Sequence, residues 1–376
     1  MAMASKRTKT PKSSPKPRTA ASRDPRKGKK RSPKSLEERL VKYRYDAAGY
    51  EFVPALMHDL RRLLSQGKPS TPVEEHLLAA LREIKGGVGF IKTALERHDK
   101  LPYEVKQRIF SPRYLNLRAD YDIGEQEWSA LFERGARASG RNVLAATRVY
   151  ARNPKSHDCC CCCDDGNPNG DTPPQPKPNQ YELSFAKLYC VDESDPEWAG
   201  SDEPYAVFAV ITEAMAESGT AAVGCHSPVY EDVDDGDTRP QSGDENLRLF
   251  GFAGPRAIDS NVLATATCFE HDLGDVSETT DKVRAALTAV ATKAAAAGGV
   301  AGWIVAGAAV IAIGVSYLVD LIGADDQIGG TRQVSLNQAQ ADASTGGGNP
   351  FFFPALRFDG GDDDGIYDVY VKLRRA

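Results

Sequence analysis

Residues 281–297, DKVRAALTAVATKAAAA, and residues 300–322, VAGWIVAGAAVIAIGVSYLVDLI, decide how this chain is read. The first is an Ala-rich run that Gly298 and Gly299 end; the second is apolar at nearly every position. No charged side chain lies between Lys293 and Asp320. The pair predicts a helical hairpin. A helix that is apolar all round belongs in a protein core or in lipid. About 20 apolar residues span a bilayer core at ~1.5 Å each, and the second run reaches that length. Ala and Gly dominate it, however, and these insert only marginally compared with Leu, Ile and Phe. Three readings stay open. The hairpin lies against a sheet face of its own domain, or it meets lipid through Trp303, Ile304, Val310, Ile311, Ile313 and Leu318. A permanent span is disfavoured, because an acidic domain would have to fold around it.

On either side of the hairpin the periodicity is that of strands. Tyr181–Cys190, Tyr205–Thr212, Ala222–Tyr230, Asn246–Phe252, Val262–Phe269, Ile328–Leu336 and Ile366–Leu373 are short and rich in β-branched and aromatic residues. Asp, Gly and Pro turns separate them, which predicts an antiparallel β-sandwich over 180–376 with the hairpin, 281–322, inserted in it. Residues 36–152 read differently. Leu36, Leu40 and Tyr43, then Leu56, Leu60, Leu63 and Leu64, recur at helical spacing, and Pro72 with Glu74–Glu75 opens another helix. Val88–Arg97, Tyr103–Ile109, Glu125–Ala138 and Arg141–Arg152 complete a small all-α domain. Residues 153–179 are a Pro- and Cys-rich linker. The fold class is therefore multidomain α plus β.

Charge divides the chain. Residues 1–35 hold 13 Lys and Arg against Asp24 alone, and almost no large apolar side chain, so they form a disordered basic arm. Residues 36–155 hold 21 basic and 16 acidic residues; the remainder holds 13 basic and 35 acidic. A net charge of −5 thus conceals a basic end and an acidic body with different partners. The arm suits anionic lipid, or sequence-independent contact with nucleic acid or a scaffold, since it lacks aromatics for base stacking. No apolar run follows the first charges, so no secretory signal peptide is read there. A cytoplasmic or peripherally membrane-associated protein is the expectation.

The acidic residues gather at turns. Asp192–Glu203, Glu270–Asp275 and Asp325–Asp326 each adjoin a predicted strand. Asp and Gly are ordinary turn formers that keep hairpins soluble. Carboxylates arriving from several loops are also what calcium needs, because it takes six to eight oxygens.

The stretch LSFAKLYCVDESDPEWAGSDEPYAVFAVI, with Ser201-Asp202-Glu203-Pro204-Tyr205 before its second strand, resembles the opening of C2 domains, calcium- and phospholipid-binding β-sandwiches. ATCFEHD resembles that family's strand ending in two acids one residue apart, and ADDQIGGTRQVSL its next strand. The resemblance covers about 181–375 and implies a calcium site from Asp202, Glu270, Asp272 and Asp326, with Asp195 a fifth candidate. In that family the loop after the paired acids touches membrane; here it holds the hairpin. Glu stands at 270 in place of the usual Asp, Ser-Asp-Pro-Tyr has gained one residue, and Asp195 is offset by one.

Five of the eight cysteines form the run Cys159–Cys163. Adjacent cysteines cannot staple distant segments, and the spacing is wrong for a zinc knuckle. The six histidines are scattered, and no Gly-x-Ser-x-Gly, Walker loop or His-Glu-x-x-His occurs. Cys225 and His226 are adjacent on a strand and so point to opposite faces. The expectation is a non-enzymatic protein that engages anionic membranes, calcium-assisted through its acidic loops. The alternative is a structural or packaged protein, in which the arm binds nucleic acid or a scaffold and the sandwich is an assembly or recognition surface.

Overall fold

The computed structural model describes residues 35–45, 47–66, 69, 71–138, 177–193, 203–271, 274–298, 303–323, 326–346, 348–361 and 365–376. The basic arm up to residue 34, Arg141–Arg152 and the linker as far as residue 176 lie outside the described residues. From Lys34 to Ala376 the chain is one compact unit of mixed α and β structure.

The N-terminal helices are α1 (Leu36–Leu40), α2 (Ala47–Gln66), α3 (Pro72–Glu83), α4 (Gly87–Lys100), α5 (Tyr103–Ile109), α6 (Pro112–Leu115) and α7 (Glu125–Ala138), with a 3-10 turn at Val41–Tyr45. Their starts are chemically marked. Ser35 and Glu38 form a reciprocal capping box on α1, and Thr71 caps α3, whose first turn holds Pro72, Glu74 and Glu75. Pro54 lies inside α2 and has no N–H to offer the Tyr50 carbonyl. That carbonyl accepts from the Ser111 N–H instead, at 2.8 Å, which ties the start of α6 to α2.

The later elements are β1 (Tyr181–Asp192), β2 (Pro204–Thr212), α8 (Glu213–Ser218), β3 (Val223–His226), β4 (Thr238–Arg239), β5 (Leu247–Phe250) and β6 (Val262–Glu270). After them come α9 (Val276–Gly298), α10 (Trp303–Ile322), β7 (Asp326–Leu336), α11 (Gln338–Ser344), β8 (Phe351–Phe352), β9 (Leu356–Asp359) and β10 (Ile366–Arg375). The strands form two antiparallel sheets. The outer sheet runs β4-β1-β10-β8, with β5 also on β1 and β9 on β10; the inner sheet runs β3-β2-β6-β7.

Side chains of the inner sheet alternate between two cores. Ala206, Phe208, Val210, Ala264, Ala266 and Cys268 pack toward the outer sheet. Tyr205, Val207, Ala209, Ile211, Leu263 and Phe269 face the other way, into a second core with the hairpin. Every position of β2 is consequently buried. Helix α9 packs on β2 and β3, and α10 on β6 and β7, while α2, α3, α4 and α7 cover the hairpin from the opposite side. The order is outer sheet, inner sheet, hairpin, helical layer.

This packing corrects the separate all-α domain expected at 36–152. Phe52, Leu56 and Leu81 share one hydrophobic core with Val290, Val310 and Tyr205. The hairpin is the layer that joins helices to sheet, and α10, covered by both, is apolar on nearly every side.

Candidate functional site

The strand ends that flank the acidic loops meet at one end of the sheet pair. Glu270 closes β6 and Asp326 opens β7, and the two stand directly opposite each other in the antiparallel register. On the other flank of Glu270 stands Pro204, the first residue of β2. Two residues along their strands, Cys268 and Ile328 point into the core between the sheets. The period of two places Glu270 and Asp326 at the rim of that same inward face. Both are half-buried. The His271 N–H donates to the Glu203 carbonyl at 3.1 Å and ties the loop before β2 to the end of β6.

The outer sheet ends at the same place. Asp192 pairs with Ile366, which pairs with Asp359 in turn. Gly329 of β7 has φ +64° and sits against the Asp359 backbone, where a methyl group would fall 2.9 Å from the Asp359 nitrogen. Only glycine suits both the left-handed conformation and the contact, so β7 is brought against β9. Asp235 accepts from the Glu193 N–H at 2.7 Å, and Arg239 pairs with Asp237 at 2.9 Å. The result is a rim where Asp192, Glu270, Asp326 and Asp359 stand at neighbouring strand ends.

Of the residues expected at a calcium site, the structure brings Glu270 and Asp326 together. Asp195, Asp202 and Asp272 lie outside the described residues. Two carboxylates supply at most four oxygens, short of the six to eight calcium takes. Among the described residues no group of three or more His, Cys, Asp or Glu is placed to hold a metal ion. The described donors alone do not make a calcium cage.

Four of the six residues expected to contact lipid are placed in the interior. Val310, Ile311 and Leu318 are fully buried, and Ile313 packs partly buried against the same core. Trp303 and Ile304 open α10, and their side chains fall outside the described residues. Among the described residues no helix is long and apolar enough to cross a membrane.

Polar groups that pattern reading does not reveal pin the hairpin in place. Lys293 of α9 is buried against Asp59 of α2 and lies 3.7 Å from Glu74 of α3. Arg62, also buried, bridges Asp59, Glu74 and Asp122. Burial works against the Arg62 charge, but Asp59, Glu74 and Asp122 more than offset it and raise its pKa. Asp320 of α10 is buried with Lys42 at 2.8 Å and accepts from the Tyr43 hydroxyl. Burial, then the Asp320 charge, hold the Tyr43 phenol well above its usual range, so it stays a donor. The one available clue was positional: Lys293 and Asp320 are the charges that bound the apolar stretch.

Cys225 and His226 do not form a nucleophile and base. The Cys225 thiol lies 3.8 Å from the Arg248 carbonyl, and His226 Nδ1 lies 2.8 Å from the carbonyl of Ser227. Burial pushes the thiol up to about 12, the reverse of what a reactive cysteine needs. A groove of about 230 Å³ between α4 and α9, lined by Lys85, Phe90, Thr93, Glu278, Asp281 and Lys282, is smaller than ordinary ligand pockets of about 300–1,000 Å³. The chain matches no family model, no curated protein and no solved structure.

Proposed function

We propose that this is a non-enzymatic recognition or assembly protein. The acidic end of the sheet pair receives a cationic partner, and the basic segment 1–35 contacts nucleic acid or an acidic scaffold. The supporting observation is the convergence of Glu270, Asp326, Asp192 and Asp359 on one rim of a body braced by a buried hairpin. Burial accounts for the apolar run without lipid, so lipid contact is not needed to explain it. The charge split then supplies two surfaces of opposite sign on one chain. The test is binding of duplex DNA and of polylysine by the full chain. Deleting 1–34 should abolish the salt-sensitive DNA binding and leave polylysine binding intact. Glu270→Gln with Asp326→Asn should do the opposite. Equal loss from both changes would defeat the two-surface reading.

A second reading is engagement of anionic membranes, assisted by calcium. It is favoured by the adjacency of Glu270 and Asp326, the arrangement the C2 resemblance implies, and by the uncharged stretch from Lys293 to Asp320. Under it the hairpin has to leave the core, because Val310, Ile311 and Leu318 are buried. Flotation with phosphatidylserine vesicles, with calcium and with chelator, separates the readings. Calcium-dependent flotation supports this one, and none in either condition removes it.

A further inference from the structure

The buried contact between α4 and the hairpin carries an inference independent of either functional reading. His98 of α4 is 3% exposed, and its Nδ1 lies 2.7 Å from the hydroxyl of Tyr317 in α10. The Phe110 ring stands 6.0 Å from the imidazole and 5.3 Å from the Tyr317 ring, so the histidine is walled by aromatics. The charged groups around it come from every neighbouring element. Lys106 of α5 and Arg61 of α2 act on it directly. Asp99 of α4 is committed to Arg61. On α10, Asp320 is committed to Lys42 and Tyr43, and Tyr43 stacks edge-on against Tyr317 at 5.3 Å. Asp99 and Arg61 form one ion pair and Asp320 is taken up by Lys42 and Tyr43, which leaves Lys106 as the cation opposing a charged imidazole.

We infer that His98 is an acid-sensitive latch: in mildly acidic medium the seam between α4 and α10 opens, because the imidazole takes up a proton only on leaving its pocket. Burial, then Lys106 and Arg61, lower its pKa from 6.5 to about 3 in the closed seam. The sign follows from linkage. Above pH 6.5 neither form carries the proton and the latch holds fully. As the pH falls through 6.5 the opened form binds a proton that the closed form refuses, and the seam weakens until about pH 3. One proton corresponds to about a tenfold change in the opening equilibrium per pH unit. The hairpin face under α4 is exposed about tenfold more often at pH 5.5 than at pH 7.5.

Hydrogen exchange of the full chain tests this, with peptides covering 87–100 and 307–322 followed at pH 7.5, 6.5 and 5.5 and corrected for intrinsic rates. The wild type should lose about tenfold protection in both peptides between pH 7.5 and 5.5, about fivefold of it below pH 6.5. His98→Gln should show no such loss. Lys106→Gln, a half-buried position outside the aromatic wall, removes one opposing cation and should shrink it, so the test stands even if the His98 variant folds poorly. Equal loss in the wild type and both variants, or none in the wild type, would overturn the latch.

Discussion

Gly307 of α10 and Phe132 of α7 approach so closely that a methyl group at Gly307 would fall 1.7 Å from the ring carbons. Gly314, two turns on, is less tightly held, with Val290 at 3.0 Å and Phe52 at 3.1 Å from the methyl position. The glycines of α10 are therefore contact points at which neighbouring elements lie against its backbone. Gly307→Ala should destabilise the protein by about 1–3 kcal/mol, and Gly314→Ala by less. Gly89 in α4 has nothing within 4 Å, and its replacement by Ala should stabilise by up to about 1 kcal/mol. Urea unfolding of the three variants gives the ranking.

Lys293 is the cation that α9 contributes to the buried cluster of Asp59, Arg62 and Glu74. Lys293→Met leaves two buried carboxylates to share Arg62. A loss of about 3–5 kcal/mol is expected, the usual cost of removing one partner from a buried pair. Adding Asp59→Asn should restore part of it. Equilibrium unfolding of both variants measures the coupling.

Glu270 and Asp326 place like charges directly across two strands. In chelator, Glu270→Gln should change stability by no more than about 1 kcal/mol. If calcium binds at this rim, the wild type should melt higher in calcium and the Glu270→Gln/Asp326→Asn double variant should not respond. Thermal unfolding with calcium and with chelator reads both effects.

Cys190 and Cys268 are buried, and burial holds the Cys225 thiol at about 12. In native protein at pH 8, iodoacetamide should leave all three unmodified over minutes, and denaturant should expose them. Mass spectrometry of the peptides decides it.

Much of this architecture was legible in the residues. Glu125–Ala138 and Tyr103–Ile109 are helices with the bounds their spacing predicts, and the seven predicted strands all occur. Ala222–Tyr230 shrinks to Val223–His226, because Pro228 ends the pairing run. α9 begins at Val276 rather than 281, since Asp275 accepts from the Ser277 N–H and opens the helix earlier. The strands β4, β8 and β9, of two to four residues, are too short to show a period. The joining of helices to sheet also has a signal in the residues. PYAVFAVIT and VLATATCF are apolar or small at almost every position instead of alternating, the mark of strands covered on both faces. The partners of Lys293 and His98 had none, because Asp59 and Tyr317 reach them only through packing across more than two hundred residues of chain.

The hairpin lies inside the folded body, between the inner sheet and the helical layer. Hydrogen exchange of the full chain at pH 7.5, with and without phosphatidylserine vesicles and calcium, tests it most directly. Amides of residues 307–322 should be among the slowest to exchange, and vesicles should leave them unchanged. Rapid exchange there in solution, or exchange that vesicles alter, would contradict it.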